Sequence, residues 1–154
     1  MAFASPGITT INGQPLPGKL TPLQNPSIMI DTLMPDGKRL LVTTGTRQAG
    51  TRAPIHTHDH GGYTCVLRGE ITIFMEGHAP MKAPAGSCYY MPAGHFMAAA
   101  NLGSEDVLLS DHFIAPPDAP VMTVLSSVRV SPRLSTQVTV IGSPFSAPWK
   151  VKTR

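Results

Sequence analysis

Residues 50–69 read Gly50-Thr51-Arg52-Ala53-Pro54-Ile55-His56-Thr57-His58-Asp59-His60-Gly61-Gly62-Tyr63-Thr64-Cys65-Val66-Leu67-Arg68-Gly69. Short runs of β-branched and aromatic residues alternate here with glycines, the pattern of brief strands joined by tight turns. Within it, His56 and His58 stand two apart. On a strand that spacing sends both imidazoles to one face. Two imidazoles on one face supply adjacent ligands to one first-row metal. His60 shares their parity if the strand runs that far, and the two glycines after it let the backbone swing it inward.

A second stretch has the same character. Residues 86–101 read Gly86-Ser87-Cys88-Tyr89-Tyr90-Met91-Pro92-Ala93-Gly94-His95-Phe96-Met97-Ala98-Ala99-Ala100-Asn101. The Pro-x-Gly corner turns the chain sharply before a strand, and His95 and Met97 share parity on that strand. Met97 offers a thioether, a soft ligand that favours copper(I).

Outward from these two stretches the alternation continues. Strands are expected at 27–34, 38–47, 55–58, 63–67, 70–75, 88–91, 95–100 and 107–114, with turns at Pro35-Asp36-Gly37, His60-Gly61-Gly62 and Glu76-Gly77. Residues 1–26 read as an extended N-terminal arm, 27–117 as one barrel, and 118–154 as a C-terminal extension with added strands in 121–142. The chain has 154 residues, 16 Pro and 14 Gly, with 14% charged residues, which suits one all-β domain and argues against long helices.

The formal net charge is +3, and residues 119–154 hold Arg129, Arg133, Lys150, Lys152 and Arg154 with no acid. These cations are scattered singly without stacking aromatics, so a solvated tail is expected and nucleic acid is not. No apolar run approaches the ~20 residues of a membrane span. No secretory leader is recognised in MAFASPGITT, which makes the cytoplasm the expected location. Cys65 and Cys88 lie outside any C-x-x-C pair and are expected as reduced, buried thiols.

The two stretches together resemble the cupin superfamily, whose motifs run G-x5-H-x-H-x3–4-E-x6-G and G-x5-P-x-G-x2-H-x3-N. Gly50, His56, His58 and Gly69 match the first at its spacing, and Gly86, Pro92, Gly94 and Asn101 the second, with 16 residues between the motifs. The resemblance covers about residues 38–116. It implies a double-stranded β-helix, or jelly-roll, barrel, a small single-domain cupin that is often a homodimer. It also implies a metal site. Two of the family's four ligands are replaced: Gly62 stands where the motif has Glu, and Met97 where it has the third His.

The candidate metal ligands are therefore His56 and His58, completed from His60, His95 and Met97. The metal would be divalent or soft (Fe, Ni, Cu or Zn), with no metal at all as the other possibility. The substrate pocket is expected at Gly62, Thr64, Tyr90, Phe96 and His112, with Val66, Phe96 and Met97 as apolar lining and Tyr63, Tyr89 and Tyr90 in the walls. Arg52 reads as a surface cation that could also meet an anion.

Two functions follow. One is a metal-dependent enzyme acting on a small molecule, an oxidoreductase such as a dioxygenase, or an isomerase, decarboxylase or cyclase. The other is a non-catalytic barrel that binds a small apolar or aromatic ligand beside a degenerate metal site.

Overall fold

The computed structural model describes residues 7–125. Every regular element among them is a strand. In chain order these are β1 (Thr10–Ile11), β2 (Gln14–Pro15), β3 (Lys19–Leu20), β4 (Gln24–Leu33), β5 (Arg39–Arg47), β6 (Thr51–Arg52) and β7 (His56–Thr57). They are followed by β8 (Gly62–Arg68), β9 (Glu70–Met75), β10 (Met81–Pro84), β11 (Cys88–Met91), β12 (Met97–Ala100), β13 (Val107–Ala115) and β14 (Thr123–Val124). No helix of the described residues is long and apolar enough to cross a membrane.

The strands form two main sheets. One runs β11-β8-β13-β5-β4, antiparallel throughout. The other runs β10-β9-β12-β6-β3, and β7 joins it by pairing with β12 and β14. Hairpin chemistry sets the register. At the β4–β5 turn, Gly37 takes a positive φ of 83° and the Lys38 amide bonds the Asp36 carboxylate at 3.0 Å. Gly69, at φ 81°, makes the tight β8–β9 reversal, where an added Cβ would lie 2.9 Å from Val107 Cγ2.

Side-chain alternation fills the space between the sheets. Along β13, Val107, Leu109, Phe113 and Ala115 are buried. Val107, Leu109 and Phe113 meet Leu41, Val66, Ile71, Ile73 and Met97 in one core cluster. Removing this apolar surface from water is the main favourable term in folding. A smaller cluster of Ile11, Ile55 and Ala98 sits outside it, with Phe96 packed against them.

The chain on either side of 27–117 also takes part. Lys19 and Leu20 pair in parallel with Thr51 and Arg52, and Thr123 and Val124 pair with Thr57 and His56. The strand expected at 27–34 begins earlier, at Gln24, the N-terminal arm carries the three short strands β1, β2 and β3, and β6 and β10 were not expected. Of the added strands expected in 121–142, Thr123–Val124 is seen, and the remainder, like the basic tail beyond 125, lies outside the described residues.

The cysteine expectation is corrected. Cys65 and Cys88 are joined in a disulfide, and neither is buried. The two are register partners across β8 and β11, with Cα atoms 3.9 Å apart, so strand pairing itself brings the sulfurs together.

Candidate functional site

Between the sheets lies a cavity of about 320 Å³, in the range of small-molecule pockets. The β7 side of the barrel places His56 and His58 on its wall, beside Met97 and Ala99 of β12. The facing sheet contributes Arg47, Thr64, Tyr89, Asp111 and Phe113. Leu20–Leu23 and Val121 add wall from outside the 27–117 segment.

The two imidazoles stand side by side on the cavity wall. His56 and His58 are 6% and 3% exposed, and their Nε2 atoms stand 3.1 Å apart. His56 Nδ1 lies 2.7 Å from the Pro54 carbonyl oxygen, and His58 Nδ1 lies 2.7 Å from that of Val121. A carbonyl only accepts, so each Nδ1 carries the proton and donates it. A neutral imidazole has one N–H, so both Nε2 atoms then present bare lone pairs to each other.

Neutrality is favoured by the surroundings. Burial first, and then the nearness of His58, pulls the His56 pKa down to about 3, against the opposing pull of its bond to Pro54. Burial also lowers His58, offset by the Val121 carbonyl and by Asp111. Two facing lone pairs at this distance repel unless a cation or a proton donor sits between them. Both nitrogens fall within a usual Zn–N bond of about 2.0–2.1 Å of one common point. The carbonyls on Nδ1 are the outer partners that hold ligating imidazoles in orientation. The donor pair thus fits a metal, whose remaining positions would be open to other donors. Met97 is 1% exposed and is the direct cross-strand partner of His56. Among the described residues no group of three or more His, Cys, Asp and Glu converges on one point.

The facing wall is polar in a different way. Thr64 donates to Asp111 Oδ1 at 2.5 Å. Burial pushes the Asp111 carboxyl above its ordinary range, and the Thr64 bond, His58, His112 and Arg47 hold it back. Burial likewise pushes the Tyr89 phenol up, so it stays a proton donor.

No protein-family model and no curated protein sequence matches the chain. Solved structures do match. One is an uncharacterized conserved protein with a double-stranded β-helix domain from Klebsiella pneumoniae, 21% identical, with a TM-score of 0.53 over 77% of this chain and 90% of that one. Another is an RmlC-like cupin family protein with a double-stranded β-helix fold from Methanocaldococcus jannaschii, 15% identical, with a TM-score of 0.51 over 68% and 94%. A third is the oxalate decarboxylase of Lactobacillus farciminis, 17% identical, with a TM-score of 0.55 over 71% of this chain and 33% of that one. The chain has the cupin fold.

Within that cupin barrel the expected site residues separate into two groups. His56, His58, Met97 and Thr64 line the cavity. The others do not. His60 is exposed in the turn after His58, because β7 ends at Thr57 and the parity stops with it. His95 is exposed in the Pro-x-Gly corner, its Nδ1 3.1 Å from the Ala93 carbonyl, because β12 begins only at Met97. Tyr90 is 67% exposed on the outer face of β11, and its neighbour Tyr89 takes the inner one. Phe96 packs outside, with Ile11 and Ile55. His112 points outward from β13, stacked on Tyr63 at 4.5 Å and bonded through Nε2 to Ser110 Oγ at 3.0 Å.

Gly62 has a physical reason to be glycine. A Cβ there would lie 2.7 Å from a Phe113 ring carbon and 2.8 Å from the His112 carbonyl oxygen. The Phe113 ring stacks on His58 at 5.2 Å between centroids. The space that a glutamate at 62 would need is therefore filled by an aromatic ring packed on one of the two histidines.

Asp111 and Arg47 were not expected in the site, and of the three tyrosines expected in its walls only Tyr89 lines it. Asp111 had a readable signal, as the one acid on the odd-numbered apolar face of β13.

Proposed function

We propose that this chain is a metal-dependent cupin enzyme acting on a small molecule held in the barrel, with His56 and His58 as the protein's metal ligands. The observation that carries this reading is the pair of bare Nε2 atoms 3.1 Å apart, each imidazole fixed by a carbonyl on its Nδ1. A metal there supplies Lewis acidity toward an oxygen-bearing substrate. Met97 is the third donor, and its thioether together with the missing carboxylate favours a soft ion such as copper(I) over a hard one.

The chain's own residues supply the rest. The Asp111 carboxyl, whose pKa burial raises, lies on the cavity wall to exchange a proton with substrate, oriented by the bond from Thr64. Tyr89 donates a hydrogen bond, and the apolar walls exclude water. This chemistry fits the dioxygenase, isomerase, decarboxylase and cyclase types alike.

Elemental analysis of the purified protein by mass spectrometry is the test. About one equivalent of transition metal per chain is expected, lost in the His56→Ala/His58→Ala variant with the fold intact by circular dichroism. Metal-free wild type, or metal retained in the variant, overturns the reading and leaves the second one, a barrel that binds an apolar ligand without turnover. The second reading draws on the mostly apolar walls.

The disulfide bears on location. Such bonds persist in oxidising surroundings, which supports a working place outside the reducing cytoplasm.

A further inference from the structure

Arg47 is the most deeply buried cation on the cavity wall, at 4% exposure. Its place is fixed from three sides. β5 carries it on the inward face, Asn101 Nδ2 donates to its backbone carbonyl at 2.9 Å, and its Nη1 donates to the Thr21 carbonyl. Its Nε is buried and has no hydrogen-bond partner among the described residues. No carboxylate among them lies within ion-pair distance of it. A buried guanidinium with an unsatisfied donor is costly to keep, and the fold keeps it on the cavity's polar wall, where the charge of Asp111 acts on it without a direct ion pair.

We propose that Arg47 is the anion-binding residue of this cavity, and that the cavity takes a small carboxylic acid whose carboxylate sits on the Nε side of the guanidinium and whose body lies against the apolar walls. An Arg fork matches a carboxylate in two parallel bonds. The Nη1 donor is already engaged with Thr21, so the Nε–Nη2 edge is the side of the fork left without a protein acceptor among the described residues. Leu41, Leu109, Met91 and Ala99 line the same space and fit an apolar body. The acid group at one end and the histidine pair on the facing wall give a bound molecule one orientation. This deepens the reading given under Proposed function, since it names the substrate class of the same cavity, but its anion contact and its test use none of the metal ligands.

The test is calorimetric titration of the full chain, stripped of metal with chelator, using hexanoate and its neutral isostere hexanamide. Hexanoate is expected to bind at least about tenfold tighter, within the range of a charge-assisted hydrogen bond. Arg47→Met is expected to abolish that preference while hexanamide binding stays, and Arg47→Lys to restore part of it. Equal affinity of the two probes for wild type, or a preference that survives Arg47→Met, overturns the proposal.

Should Arg47→Met not fold, nuclear magnetic resonance of wild-type protein carrying 15N-arginine decides. One buried Arg Nε–H signal is expected to move with hexanoate and to stay with hexanamide, and an unmoved signal overturns the proposal. The metal reading fails or stands separately. Wild type that takes up no metal but prefers hexanoate keeps the anion site and loses the metal. Wild type that takes up metal without preferring hexanoate does the reverse.

Discussion

The two walls of the cavity are built in different ways. The histidine wall is largely local: His56 and His58 are two residues apart and His56 takes its orientation from Pro54, two residues earlier, with Val121 the one distant partner, on His58. The facing wall is assembled from Arg47 on β5, Thr64 on β8, Tyr89 on β11 and Asp111 on β13. These residues meet only because the antiparallel sheet pairs β13 with both β5 and β8, and β8 with β11. A local site tolerates changes elsewhere as long as its own turn holds. A dispersed one depends on the register of every strand between its members.

The sharpest way to break that comparison is at Gly62, where the walls touch. Gly62→Glu returns the motif's carboxylate in sequence, yet its Cβ would collide with Phe113 and the His112 carbonyl. Overpacking of this kind is expected to cost roughly 3 kcal/mol in chemical denaturation. A variant as stable as wild type, with a gain in metal affinity, would show that the ring moves aside and that the fourth ligand position is open.

A middle-sized effect is expected at Asn101, which holds the facing wall to its loop. Its Nδ2 donates to the Arg47 and Glu105 carbonyls at 2.9 and 2.7 Å, and its Oδ1 accepts from the Gly103 amide at 3.0 Å. Asn101→Ala leaves those backbone groups without partners and is expected to cost about 2 kcal/mol. The histidine wall should not notice, so metal content per folded chain stays at the wild-type value. A drop in metal content would mean that the two walls are coupled.

The smallest effect is a pH dependence. An Asp carboxyl has its ordinary pKa at 3.8, and burial raises it in the folded state. As pH rises above 3.8, the unfolded chain therefore gives up this proton first, and ionisation favours unfolding. The stability that the neutral carboxyl contributes is fully present below 3.8 and is lost as pH climbs through the raised folded value. Asp111→Asn cannot ionise and still accepts from Thr64. Its melting temperature should match wild type in acid and exceed it near neutrality. An unchanged difference across that range would mean that the Asp111 carboxyl keeps its ordinary pKa in the folded protein.

The same contrast explains what was legible in the sequence. Motif spacing located the barrel strands, and the parity of His56 and His58 located the histidine wall, because both are short-range properties. His60 and His95 failed for one shared reason: parity was counted through residues where the strand has already ended or has not yet begun. Tyr90 was preferred to Tyr89 although Met91, two residues from Tyr89, marked the inner face. Arg47 shares parity with the buried Leu41 and Thr43, yet a lone arginine reads as surface until the strands that bury it are known. Gly62 looked like a lost ligand. Its cause, the Phe113 ring, comes from a strand that starts 45 residues later, at Val107.

The most direct test of the account is X-ray absorption at the metal edge of the protein loaded with copper(I). The account predicts scattering from two imidazole rings, with nitrogen shells at about 2 Å, that disappears in the His56→Ala/His58→Ala variant. A spectrum without imidazole scattering, or one identical in the variant, would contradict it.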